Sequence, residues 1–388
     1  MLTGGPGPAP STGRAVVLSA GCPGVVRGLR RCVRGCRRSV RGARAGYSDL
    51  RGSAAESVAA ASMAAEPVAA ESAAAQSVAA QPLRTGVRDA RAMPLVVPDA
   101  LVPLALRLAR ANRTFVSAEG ARRRIRERAL RPASYGPPPR LRPGVRVDVE
   151  QVGSWPVYTI RPRVIRGGVV YVHGGGWVNE IAPQHWWLAA RIADEASVAV
   201  TLPIYSLVPF GTALEARDGV RALVLRSLER HGATCLAGDS AGGQIALSTA
   251  LALRDEGVVL PRTTLVSPAL DLSWSNPRIP EVQPTDPWLG TPGGRVLAES
   301  WRGALDLLDP VVSPLFGDLA GLGPLTVFTG TRDVLNPDAH VLAERAAAAA
   351  VPFELHEAVG QVHVYPLVPT RAGREAQHDL VEGLRAAV

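Results

Sequence analysis

From Met93 onward the apolar positions follow two alternating patterns. Segments with an apolar residue every third or fourth position read as helices. Short, almost unbroken apolar runs bounded by Gly, Pro or Asp read as strands buried on both faces. The stretch "PDALVPLALRLARANRTFVSAEGARRRIRERAL" predicts one or two helices, and "YGPPPRLRPG" a Pro-rich connector. Strand-like runs follow at 145–151, 156–161 and 168–172. Then come a helix ("HWWLAARIADEA"), a strand ("VAVTLPIY"), a helix over 211–232, a strand ("TCLAG"), a helix from Ala241 and a strand ("TTLVSPAL"). Residues 271–312, with Pro, Trp and Asp, break the alternation. It resumes with strand "PLTVFTG", helix 337–350, a short strand "PFELHEA" and a last helix at about 373–387. Strands alternating with helices predict an α/β chain built on a mainly parallel, doubly wound sheet.

Residues 1–92 differ from the rest. They carry an Arg-rich stretch and an Ala-rich repeat in which Val58, Val68 and Val78 recur every ten residues. With little aliphatic bulk and no amphipathic stripe, this tail is expected to be disordered, or not part of the native product. It also changes the charge picture. The formal +9 comes from 43 basic residues, all Arg, against 34 acidic ones. Residues 1–92 hold 13 Arg and five acidic residues; the remainder holds 30 and 29 and is close to neutral. No nucleic-acid surface is expected there. The cysteines show no disulfide spacing, Cys32 and Cys36 without a nearby His or further Cys are a weak metal signal, and Cys235, in an apolar run, is expected to be a buried thiol. Without a signal-peptide pattern or a spanning apolar run, a cytoplasmic location without stable membrane insertion is expected.

Candidate chemistry lies at the ends of the strands. "GDSAG" places Ser240 at a strand-to-helix turn, with Gly238 and Gly242 two positions either side. Such a turn crowds its neighbours, so small residues are needed there, and it lifts the serine Oγ clear of the backbone. Ser is also an ordinary helix N-cap, but here it lies 67 residues after His173 of "HGGG". Backbone N–H groups of Gly175, Gly176 and Ala241 can then collect around the oxyanion that forms when Ser240 attacks a carbonyl. His173 is expected to hold the loop by hydrogen bonding, because the base in such folds comes late in the chain. Asp333 follows a strand end, and His363 lies in a loop before the last helix. Asp338, at a helix start, and His356, within a strand, are the rival acid and base. His185, His231, His340 and His378 are expected to be solvated or capping. Trp177, Trp186, Trp187, Trp274, Trp288 and Trp301 are candidates for an apolar pocket, or for packing beneath it.

Together, "HGGGW", "GDSAGG", "TGTRDVLNPD" and "GQVHVYP" resemble, in order and spacing, the hormone-sensitive-lipase-like family of α/β-hydrolase carboxylesterases, in its bacterial esterase and deacetylase branch. The resemblance covers about 145–388. It implies the α/β-hydrolase fold with a helical cap: cap helices and linker at 93–144, and a catalytic domain at 145–388 with a cap insertion at 271–312. It implies a Ser240–Asp333–His363 triad, an oxyanion hole of Gly175, Gly176 and Ala241, and supporting roles for His173, Gly174 and Asp239. The implied activity is hydrolysis of short- to medium-chain carboxylic esters, with a small-molecule substrate, no cofactor and no metal. A homodimer is compatible with it. Amide hydrolysis would use the same residues, and a non-catalytic ligand binder is a remote alternative. The chain departs from the family at "YSLVPF", where Ser206 and Phe210 replace an Arg and a Glu that tie down this loop, so its local geometry is in question.

Overall fold

The computed structural model describes residues 96–139 and 141–388; the expectations for 1–92 lie outside the described residues. The strands are β1 (Arg146–Val152), β2 (Trp155–Arg161), β3 (Gly167–Val172), β4 (Val198–Pro203), β5 (Thr234–Asp239), β6 (Thr263–Val266), β7 (Leu325–Gly330) and β8 (Phe353–Ala358). The helices are α1 (Val102–Leu108), α2 (Ala118–Leu130), α3 (Pro183–Ala196), α4 (Ala213–His231), α5 (Ala241–Asp255), α6 (Ile279–Val282), α7 (Thr291–Trp301), α8 (Asn336–Ala348) and α9 (Arg371–Ala386). The sheet order is β1-β2-β4-β3-β5-β6-β7-β8. The pairs β1/β2 and β2/β4 are antiparallel, and the others are parallel.

The unbroken apolar runs follow from burial on both faces. In β3, Val170 and Val172 enter one core cluster with α4 and α5, while Val169 and Tyr171 enter the other with α3 and α9. Leu236 and Leu265 go to the first side, Cys235, Ala237 and Val266 to the second. Cys235 is a free buried thiol, and its pKa is pushed up to about 12 by that burial. A polar residue on either face of these strands must find a partner there, as Thr234 does with Ser227, or lose water uncompensated.

Strand β6 is shorter than its sequence suggests. "TTLVSPAL" reads as a strand through Leu270, but the ladder stops at Val266. Ser267 takes a positive φ of +46° and Pro268 has no N–H to give, so the chain leaves the sheet. It passes beneath α5, where a Cβ on Gly243 would lie 2.8 Å from Pro268 Cβ.

Between β6 and β7 the chain carries α6 and α7, and α7 packs on the segment from Thr114 into α2. Gly293 makes that approach possible: its N–H donates to Phe115 O at 2.9 Å, and a Cβ there would lie 2.3 Å from Thr114 O. Parallel register aligns the carboxyl ends of β3 and β5, pairing Val172 with Gly238. The "HGGG" and "GDSAG" turns therefore leave the sheet side by side. Among the described residues no helix is long and apolar enough to cross a membrane.

Candidate active site

Ser240 sits between β5 and α5 at φ +51° and ψ −117°, an unusual conformation for a residue with a side chain. Its neighbours must be glycine. A Cβ on Gly238 would lie 2.4 Å from Gly242 O, and one on Gly242 would lie 2.0 Å from Val172 O. The turn is held by Ser240 N–H donating to Val266 O at 2.8 Å, and Ala269 N–H donating to Ser240 O at 3.1 Å.

Ser240 Oγ lies 2.9 Å from His363 Nε2, and His363 Nδ1 lies 2.9 Å from Asp333 Oδ2. Asp333 is fully buried and can only accept, so Nδ1 carries the proton and Nε2 is free to accept from the serine. Asp333 follows β7, and its second oxygen accepts Leu335 N–H at 3.0 Å. His363 follows β8, fixed by Val364 N–H donating to Ser267 Oγ at 3.0 Å. Burial disfavours the imidazolium, but the carboxylates of Asp333, Asp286 and Asp239 outweigh it and raise the His363 pKa above its ordinary value.

The rivals are elsewhere. Asp338, in the first turn of α8, accepts from Asn276 and makes no bond to His363. Burial, with Asp271 and Asp333 nearby, pushes its carboxyl up to about 7. His356 stacks on Phe328 across β7 and β8, with ring centroids 4.4 Å apart.

Next to Ser240 the glycine turn adopts φ +126° at Gly175 and +62° at Gly176. The N–H groups of Gly175, Gly176 and Ala241 have no acceptor among the described residues. Asp239 pins the start of this turn. Its Oδ1 accepts Gly174 N–H at 3.0 Å and Tyr171 OH at 2.9 Å. A Cβ on Gly174 would lie 2.2 Å from its Oδ2. Burial opposes ionisation of Asp239, yet bonds from His185 and Tyr171 hold its carboxyl below the usual range.

His185 is one of the histidines expected to be solvated or capping, and it caps. It accepts Ala182 N–H at Nδ1 at the start of α3 and is buried there. Its proton therefore sits on Nε2, which is 3.2 Å from Asp239 Oδ2. His173 bonds the loop through Nδ1 to Gly174 O at 2.7 Å and stacks on Tyr205. Burial lowers its pKa to about 4, so it stays neutral. The "YSLVPF" loop has its own ties: Trp155 Nε1 donates to Ser206 Oγ, which donates to Glu215.

A cavity of about 380 Å³ opens over Ser240 and His363. Val102, Leu106 and Phe115 line it from the N-terminal helices, and Trp288 and Leu289 from the segment between β6 and β7. Of the six candidate tryptophans, Trp288 alone lines it, with its ring edge-on to His363 at 5.8 Å. Trp177 and Trp301 stack instead and share the Oε1 of Gln244. Trp186 is buried against Tyr158, Trp274 is buried near Gly294, and Trp187 is exposed.

Asp286 carries no motif or spacing that marks it in the sequence. Its Oδ1 accepts the N–H groups of Trp288 and Leu289, and its Oδ2 accepts that of Val334. It thus ties the cavity wall to the Asp333 loop. Burial, then repulsion from Asp333, pushes its carboxyl up to about 6 despite those three donors.

The sequence pattern of a family described as having the α/β-hydrolase fold matches residues 169–367. An acetyl-hydrolase of Streptomyces hygroscopicus is 32% identical over 238 residues, 59% of this chain and 79% of that protein. The carboxylesterase NlhH of Mycobacterium tuberculosis is 29% identical over 282 residues, 65% of this chain and 84% of that protein. Among solved structures, an esterase from the bacterial hormone-sensitive lipase family is 26% identical, with a TM-score of 0.63, covering 76% of this chain and 99% of its own.

Proposed function

The chain belongs to the α/β-hydrolase fold family, as a hydrolase of its hormone-sensitive-lipase-like branch, and from that premise we propose that it is a serine carboxylesterase for short- to medium-chain esters. The observation that carries this reading is the continuous bond path Ser240–His363–Asp333, with both links at 2.9 Å, beneath a largely apolar cavity.

Ser240 Oγ attacks the ester carbonyl as His363 Nε2 takes its proton. Asp333 keeps the ring in the right tautomer and supports the imidazolium. The oxyanion is met by the N–H groups of Gly175, Gly176 and Ala241. Each such donor is worth roughly 3 kcal/mol, because it is already oriented when charge develops. His363 then protonates the departing alcohol, leaving an acyl-Ser240, and activates water to release the acid.

The cavity sets the size range. Each methylene buried against Val102, Leu106, Phe115 or Leu289 gains about 0.8 kcal/mol until the wall is reached. Efficiency on p-nitrophenyl esters should climb from acetate to about butyrate–octanoate and then drop. The experiment is that series beside matched p-nitroanilides. Efficiency that keeps rising to palmitate, or anilides cleaved as fast as esters, would contradict the reading.

A further inference from the structure

Two residues just past the glycine turn hold the N-terminal helices. Asn179 Oδ1 accepts from Arg124 Nε of α2 at 2.8 Å. The neighbouring Glu180 lies 3.3 Å from Arg128 of α2 and accepts Ala133 N–H. Arg can only donate, so it fixes which end of the Asn179 amide faces it. The Nδ2 end is thereby turned to Gly175 O, to which it donates at 2.9 Å. That carbonyl also accepts Asn179 N–H at 3.0 Å and, more weakly, Val178 N–H at 3.4 Å. The side-chain bond is the shortest of the three.

The geometry matters because Gly175 and Gly176 share a trans peptide plane. In a trans peptide the C=O and N–H point in opposite directions, and the plane is stiff. Drawing Gly175 O toward Asn179 therefore fixes the direction of Gly176 N–H. With φ at +126° and +62°, these glycines have no side chain to limit the plane, so the direction must be imposed from outside. Gly175, Gly176, Asn179 and Ser240 all line the cavity.

We propose that Asn179 is a positioning residue for the oxyanion hole, oriented by Arg124, so that α2 sets the aim of Gly176 N–H through the side chain it holds. This rests on the esterase reading above. Arg124 and Asn179 touch no reacting atom; they act through the Gly175–Gly176 peptide. Substrate affinity should then be little affected, while stabilisation of the tetrahedral oxyanion should suffer.

The test uses the full chain with p-nitrophenyl butyrate, and a trifluoromethyl ketone whose adduct with the serine carries the same oxyanion. Asn179→Asp keeps the shape and the Arg124 partner but has no donor for Gly175 O. It should lower kcat by about 10-fold or more, weaken the ketone by the same factor and leave KM within about twofold. Arg124→Ala, at a partly exposed position, should give a smaller loss of the same kind. It should add nothing in an Asn179→Ala background. Wild-type kcat and ketone affinity in Arg124→Ala or Asn179→Asp would overturn the inference, as would losses confined to KM. If the wild-type chain cleaves no ester, the functional reading fails and this inference falls with it. Active wild type with unchanged variants defeats the inference alone.

Discussion

Asp286 accepts the N–H of Val334 at 2.9 Å, one residue from Asp333, so two carboxylates converge on the loop behind His363. The His363 pKa is raised against its own burial by Asp333 first, and by Asp286 and Asp239 after it. The base works only when neutral, so each of these charges moves the acid limb of kcat/KM to higher pH.

Asp286→Asn should therefore move that limb to lower pH, by about half a unit or more. Asp286 itself has a pKa of about 6, so it is largely ionised where a His363 raised above 6.5 loses its proton. A pH profile of kcat/KM on p-nitrophenyl butyrate reads the shift. An unmoved or rising limb would show that Asp286 exerts no field at the imidazole.

Asp338 should behave oppositely to a catalytic acid. Its folded pKa, about 7, lies above the ordinary 3.8, so the fold favours the protonated form. The sign follows: stability from this group is full below pH 4 and is lost as pH rises toward 7. Asp338→Asn should raise the thermal midpoint at pH 8, by the equivalent of roughly 1–4 kcal/mol, have little effect at pH 4, and keep esterase activity. His356→Ala should also keep it. A large activity loss in either variant would mean that the acid or the base has been misplaced.

Gly242→Ala places a Cβ 2.0 Å from Val172 O, a backbone atom that cannot step aside without moving β3. The expected cost is about 2 kcal/mol or more, with loss of activity as Ser240 is displaced. Urea melts and kinetics together check it. A variant with wild-type stability and turnover would show that the turn is far looser than its packing indicates.

Much of this site can be read in sequence because each part depends on a local steric demand. Gly238 is glycine for a contact within its own turn, Gly242 flanks the same serine at matching spacing, and Asp333 and His363 each sit just past a strand end. What escaped reading depends on long-range approach. His185 meets Asp239 across 54 residues, and Asp286 meets Val334 across 48. Neither pairing leaves a period or spacing in the chain. The tryptophans illustrate the same limit: composition collects six candidates, but only the path of the segment between β6 and β7 decides that Trp288 reaches His363 while Trp177 and Trp301 pack on Gln244. The apolar run outlasts strand β6, because the residues through Leu270 stay buried after the ladder has ended.

The central claim is that Ser240, activated by His363, is the nucleophile. It is tested most directly by treating the chain with a fluorophosphonate and locating the adduct by peptide mass spectrometry. The expected result is stoichiometric labelling at Ser240 with parallel loss of ester hydrolysis. Ser240→Ala should not label, and His363→Ala should label on the order of 10³-fold more slowly. Labelling at another serine, or ester hydrolysis retained by purified Ser240→Ala at more than a few per cent of wild type, would contradict the account.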